Sequence, residues 1–219
     1  WDSPFPATES GPHVPAFMAA ILTEIRHHFG REINVGVNVL RNDASSAMGV
    51  AAAVEAGLIR VNVHVGATWT DQGLIQSRAH SLLQFRRSLG VDLPSNATLW
   101  SPGRVAIAAD IMVKHGSPAG NSTLADTAKD AVCRGGADVL ILTGDSTGQP
   151  ACHADLDIVR EAVAGTPIWV GSGLCPENAT EWREHADGAI VGSYLHRDGN
   201  LMAPLDLERV RRIVDVMKV

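Results

Sequence analysis

The sequence predicts an α/β protein built on a parallel β-sheet, and three observations carry that prediction. Six apolar runs of strand length recur, at 34–40, 58–65, 104–112, 138–143, 167–171 and 188–191. Each is followed by a stretch of helical periodicity, so strands and helices alternate along the chain. Runs this apolar belong to strands buried on both faces, as in parallel sheets flanked by helices. With 45% hydrophobic residues in 219, the chain can bury one large core, and it reads as one domain over 1–219.

The helices are punctuated by ordinary end signals. A helix over 14–29 stands before the first strand. The Ala-rich helix 44–56 stops at Gly57, the helix 74–89 carries basic residues in its last turns and stops at Gly90, and 122–134 ends at Gly135-Gly136. Helices over 154–164 and 177–185 follow, and 205–217 closes the chain with Asp206 as its N-terminal cap. The segment 91–103 is the longest without periodicity and reads as a connection. The chain opens on Trp1-Asp2-Ser3-Pro4-Phe5-Pro6, a loop already in progress, and the helix 14–29 asks for a strand upstream of it.

Charge and composition exclude several function classes. Eighteen basic against 24 acidic residues give a formal net charge of −6 and no basic stripe, so nucleic acid is not an expected partner. No apolar run approaches the roughly 20 residues that span a bilayer, and no basic amphipathic helix offers a surface anchor. Cys133, Cys152 and Cys175 are odd in number, widely spaced and without a CxxC, which argues against disulfides and structural zinc and for a reducing, cytoplasmic setting. His27 and His28 are adjacent, so they lie on different helix faces, and neither HxxxH nor HExxH occurs; no metal site is expected, and the cofactor is left open.

The most informative feature lies near the C-terminus. Val170-Gly171-Ser172-Gly173 and, a short helix later, Ile190-Val191-Gly192-Ser193 are two strand ends rich in small residues. Two such ends side by side, with a helix starting at Pro176-Glu177-Asn178, expose backbone amides to a phosphate. The bland alternative is a pair of tight turns.

Gly36-Val37-Asn38-Val39-Leu40-Arg41-Asn42-Asp43, Ile59-Arg60-Val61-Asn62-Val63-His64-Val65-Gly66, Thr70-Asp71-Gln72-Gly73, and Val170-Gly171-Ser172-Gly173 with Pro176-Glu177-Asn178 together resemble the BtpA family, also called BtpA/SgcQ. The resemblance runs along nearly the whole chain. It implies a (β/α)8 TIM barrel whose first strand, first helix and second strand are missing here, leaving six strands, two unpaired edges and a barrel that is poorly soluble or recruits a partner, a homo-oligomer included. A cyanobacterial member is associated with photosystem I biogenesis and others sit among sugar-uptake genes, so the resemblance implies a fold more than a reaction.

In a barrel, the polar face of each strand points inward. On 58–65 that face carries Arg60, Asn62 and His64; His64, nearest the C-terminal end, is the expected general acid or base, and Arg60 fills the interior. Asn38 reaches towards the same end from 34–40, Arg41 and Asn42 are placed to meet an anionic ligand, and Asp43 either joins them or caps the Ala-rich helix. Asp110 is the expected buried carboxylate, sharing its face with Lys114, a phosphate or carboxylate clamp or a Schiff-base amine. Thr143 and Thr147 are placed for a ligand hydroxyl or phosphate, Asp145 for a metal, and Asp71-Gln72-Gly73 for a lid. Catalysis is thus expected from His64, Asp110 and Lys114, ligand contacts from Asn38, Arg41, Asn42, Asn62, Thr143 and Thr147, and phosphate binding from Gly171, Ser172, Gly173, Gly192 and Ser193. The expected ligand is a phosphorylated small molecule, a sugar phosphate or nucleotide; the rival reading is a non-catalytic assembly or stability factor.

Overall fold

The structure, a computed structural model, describes residues 6, 9–92, 98–111, 116–144 and 151–218. In chain order the first half runs α1 (His13–Phe29), β1 (Gly36–Val37), α2 (Ala44–Ala53), β2 (Leu58–Val61), β3 (Ala67–Thr70), β4 (Gly73–Gln76), α3 (Ala79–Ser88), β5 (Ala106–Asp110) and β6 (Gly116–Pro118). The second half runs α4 (Leu124–Lys129), β7 (Val139–Leu142), α5 (His153–Ala162), β8 (Ile168–Val170), α6 (Pro176–His185), β9 (Gly188–Ala189) and α7 (Leu207–Met217). All six expected strands are present, each shorter than the apolar run that announced it.

Those six form one curled parallel sheet in the order β1-β2-β5-β7-β8-β9, with β1 and β9 at its edges. Its two faces follow the period of two. Val37, Val39, Ile59, Val61, Ile107, Leu140, Leu142, Ile168 and Val170 point outward and pack on buried residues of the helices, among them Met48 of α2, Leu82 of α3, Leu156 of α5 and Trp182 of α6. Leu58, Ala106, Ala108, Val139 and Ile141 fill the concave face, with Trp169 and Ile190 against them. No described helix is long and apolar enough to cross a membrane.

Two strand starts are pinned in the same way. The Asp138 amide donates to the Ile107 carbonyl while its carboxylate accepts from the Ile107 amide at 2.9 Å. Asp187 repeats this with Ile168, its carboxylate accepting at 2.8 Å. Each Asp thus fixes the register of a parallel pair at its amino end.

The helix expected over 74–89 is corrected. Leu74 to Gln76 belong to β4, which pairs antiparallel with β3 around the two-residue turn Asp71-Gln72, and α3 begins only at Ala79. Gly73 sits at φ +102°, a value that favours glycine, and the Thr70 hydroxyl donates to its carbonyl. β6 adds to the other side of β3, making a three-stranded antiparallel flap in the order β4-β3-β6. The helix 122–134 also changes character, its last turn Asp130–Arg134 being π-helical. Asp206 caps α7, accepting from the amides of Glu208 and Arg209.

Candidate functional site

A polar network occupies the carboxyl end of the concave face. Arg60 donates from Nε and Nη2 to the two oxygens of Asp110, each at 2.9 Å, a bidentate fork. Asn62 donates a further 2.8 Å bond to Asp110 Oδ2, and Asn38 donates to the Arg60 carbonyl at 3.0 Å and to Asn62 Oδ1 at 3.4 Å. Burial works against the charge on Arg60, but the Asp110 carboxylate more than offsets it and raises the guanidinium pKa. Asn38, Arg60, Asn62 and Asp110 therefore converge, Arg60 and Asp110 from within β2 and β5 and the two asparagines from just past β1 and β2.

Above this network the flap encloses a cavity of about 830 Å³, a volume typical of a small-molecule site. Asn62, Asp110, Ile111 and Gly144 line it from the strand ends, Thr127 and Asp130 from the following helix, and Thr68, Trp69, Thr70 and Ser117 from the flap. Arg41 does not stand free to meet an anion. Its guanidinium donates to Asp71 Oδ1 at 3.0 Å and Gln72 Oε1 at 2.6 Å, tying the β1–α2 loop to the tip of the hairpin. Asn42 is spoken for as well, donating to the Val63 carbonyl at 3.0 Å and accepting from the Val63 amide at 2.8 Å. Asp43 caps α2 through the Ser46 amide and accepts twice from Ser10; burial opposes its charge, yet these bonds hold its pKa below the usual value.

The small-residue strand ends lie side by side, since β8 and β9 pair with Val170 opposite Ala189. Gly171 is required by packing: a Cβ there would lie 2.4 Å from Thr143 Cγ2 and 2.7 Å from Ile141 Cγ2. Its amide donates to the Leu142 carbonyl, so it serves the sheet. Beyond it the chain turns at Gly173, φ +75°, and Asn178 of α6 braces the turn by donating to the Gly173 carbonyl and accepting from the Cys175 amide. Ser172 is buried, its hydroxyl oxygen 3.4 Å from the Gly144 amide. This contact joins the turn to the cavity wall. Gly192 leads into a single 3₁₀ turn that starts at Ser193.

His64 is corrected in its placement. The expectation put it beside Asn62 on the inward face, but β2 ends at Val61 and the chain bends at Asn62 and Val63, which breaks the alternation. His64 is 1% exposed and its Nε2 lies 2.7 Å from the Gly135 carbonyl, at the C-terminal end of the π-turn. Nε2 therefore carries the proton. Nδ1 has no partner among the described residues, and burial, the largest influence, pushes the ring's pKa down. The ring shares a narrow space with Val61, Val63 and Leu82, and does not meet Asp110. Lys114, Asp145 and Thr147 lie outside the described residues. Among the described residues, no three His, Cys, Asp or Glu side chains gather to hold a metal.

The sequence pattern of the BtpA family matches residues 1–219. The chain belongs to the BtpA family. It is 40% identical over 217 residues to the photosystem I biogenesis protein BtpA of Synechocystis, covering 99% of this chain and 71% of that protein. Among solved structures it is similar to thiamine phosphate pyrophosphorylase from Pyrococcus furiosus, with TM-score 0.58, 14% identity and coverage of 95% and 78%. N-(5'-phosphoribosyl)anthranilate isomerase from the same organism gives TM-score 0.53 and 15% identity, covering 90% and 79%. These likenesses show the fold, which is TIM-barrel-like.

In this BtpA-family chain the two most specific sequence blocks do much of their work by holding one another. Asn38 reaches Arg60 and Asn62, and Asn42 reaches Val63, so the blocks lock neighbouring strand ends together. The cavity residues Thr68, Trp69, Thr127 and Asp130 have no place in the expected site. The signal for the first two was present: Ala67-Thr68-Trp69-Thr70 is β-branched and aromatic, and Asp71-Gln72-Gly73 follows as a hairpin turn.

Proposed function

We propose that this protein binds a phosphorylated small molecule, a sugar phosphate or nucleotide, across the carboxyl ends of its curled sheet. The phosphate is assigned to the turns at Gly171, Ser172 and Gly173 and at Gly192 and Ser193. One observation carries the reading: two adjacent strand ends of small residues stand next to a cavity of ligand size, linked through Ser172 and Gly144. Two structural neighbours support it, because the names of both include a phosphorylated compound. Titration calorimetry with a panel of phosphate esters tests it. Gly173→Asp and Ser193→Asp place a carboxylate where the phosphate would sit and are expected to weaken binding at least tenfold; unchanged affinity in both variants sinks the reading.

A second reading, a non-catalytic assembly factor, is favoured by a different observation. Both oxygens of Asp110 are engaged by Arg60 and Asn62, and His64 is held in the helix layer, so the two groups expected to move protons do not meet. The name of the Synechocystis relative points the same way. Phosphorus NMR of a bound ester separates the two: a ligand that binds and remains chemically unchanged supports the assembly factor, and one that is converted supports an enzyme.

A further inference from the structure

We propose that two copies of this chain pair through the ends of the helix layer, α1 of one copy lying against α7 of the other and the contact repeated about a two-fold axis. The pairing does not depend on the phosphate reading above. The sheet is open, and β1 and β9 stand at its two edges. α1 and α7 flank those edges, one preceding β1 and the other following β9. Most of the large hydrophobic side chains that stay exposed among the described residues sit on these two helices or close to them in the chain. Such clustering marks an interaction surface, whereas scattered exposure needs no explanation.

Each of the two helices carries an apolar stripe wider than its packing uses. On α1, Val14, Met18 and Leu22 pack on the cluster that holds Met48 and Val50 of α2. Phe17 and Ile21, on the other flank of the stripe, are 66% and 61% exposed, and none of the helix's 17 residues is buried. On α7, Ile213 is buried and Val216 and Met217 pack beside it, while Leu207 and Val214 are 68% and 44% exposed. A stripe that faces the core with one flank and solvent with the other has a surface still to cover.

The two uncovered flanks match one another. Phe17, Ile21 and Glu24 lie on one line of α1, and Leu207, Arg211 and Val214 repeat that spacing on α7; all six are exposed. The strands of the sheet are all parallel and the helices return against them, so α1 and α7 run in one direction. A two-fold axis along the strands sets α1 of one copy beside α7 of the other without reversing either. With Phe17 against Leu207, Ile21 meets the turn between Val210 and Val214, and Glu24 comes within one turn of Arg211. The side chain of Arg211 is 74% exposed and 3.9 Å from Glu208 of its own helix, a surface contact weak enough to exchange. Each copy carries both stripes, so a second copy supplies the whole complement and closes the contact.

Sedimentation equilibrium tests the pairing on the wild-type chain, on Ile21→Glu, Leu207→Glu, Glu24→Arg and Arg211→Glu, and on the double reversal Glu24→Arg with Arg211→Glu, each checked for folding by its thermal melt. The wild type is expected as a dimer. Ile21→Glu and Leu207→Glu each set a charge in an apolar contact and are expected to raise the dissociation constant at least tenfold. Each single reversal is expected to raise it about fivefold, and the double reversal to return it to within about twofold of the wild type. A monomer throughout overturns the pairing, as does a dimer that Ile21→Glu leaves unchanged. A dimer weakened by Ile21→Glu but not by Leu207→Glu sets α1 on α1 and overturns the contact with α7. A double reversal weaker than both single reversals overturns it too, and assemblies that keep growing with concentration overturn the closed two-fold.

Discussion

Replacing Arg60 with Met removes the guanidinium that grips Asp110 while keeping an apolar stem of similar length. Asp110 then remains with its side chain 2% exposed and loses two of the three donors described around it, retaining the 2.8 Å bond from Asn62. Breaking a buried pair by removing one partner typically costs about 3–5 kcal/mol. The Arg60 side chain is 21% exposed, so water already screens part of the interaction and the low end, about 3 kcal/mol, is expected. For a chain of this size that corresponds to a fall in Tm of roughly 6–12 °C. The double variant Arg60→Met with Asp110→Leu removes both charges and offers apolar groups to a concave face already lined by Leu58, Ala108 and Ile141. It should recover to within about 1.5 kcal/mol of the wild type. Urea denaturation followed by circular dichroism gives all three free energies. If Arg60→Met costs under about 1 kcal/mol, or the double variant is no more stable than the single, the pair does not anchor the concave face and the reasoning fails.

Two further perturbations test neighbouring parts of the argument. Gly171→Ala drives a methyl to within 2.4 Å of Thr143 Cγ2 and should cost about 1–3 kcal/mol, with part recovered by adding Thr143→Ser; an unaltered urea midpoint would contradict the inward packing of β7 against β8. Burial holds the His64 pKa below its ordinary 6.5, so the unfolded chain takes up a proton that the folded chain refuses. Stability is then complete above about pH 6.5 and falls as the pH drops below it, by at most about 1.4 kcal/mol per pH unit, because the unfolded state binds more protons. His64→Gln should flatten that dependence, and a wild-type slope in the variant between pH 5 and 8 would refute the assignment.

The six parallel strands were legible because a doubly covered strand must be apolar at successive positions, and few other segments of this chain are. In the strands and at the first residue past β1 and β2, the period of two also brought polar side chains to one face: Asn38, Arg60, Asn62 and Asp110 do meet. The same rule misplaced His64 because it was carried past Val61, where pairing with β5 ends and nothing holds the pleat. Arg41 and Asn42 were misread for another reason. Their partners Asp71, Gln72 and Val63 lie 21 to 31 residues further along, and no local pattern tells a loop arginine which carboxylate it will meet. The flap was hidden by a conflict of signals, since Leu74 and Ile75 fit the apolar stripe of the helix that follows as well as they fit β4.

The concave face changes character from one edge of the sheet to the other, and that gradient constrains the ligand. At the ends of β1, β2 and β5 it carries a charged pair and two amides; on β5 and β7 it is filled by Ala106, Ala108, Val139 and Ile141; on β8 and β9 it ends in glycine and serine. A charge pair satisfied from within needs no ligand counter-ion, and Asp130 likewise has the guanidinium of Arg134 at 3.4 Å. The glycine turns at the other end leave room for an anion, since nothing lies within 4 Å of where a Cβ on Gly192 would stand. Under the proposed phosphate reading, a ligand that spans both ends has its anionic group towards β8 and β9, where the turns are open, and the rest of it towards β2 and β5. The flap reinforces this direction, because it rises from the loops after β2 and β5 and is fastened by Arg41 on the β1 side. If the proposed phosphate sits at the β8 and β9 ends, the flap covers the rest of the ligand.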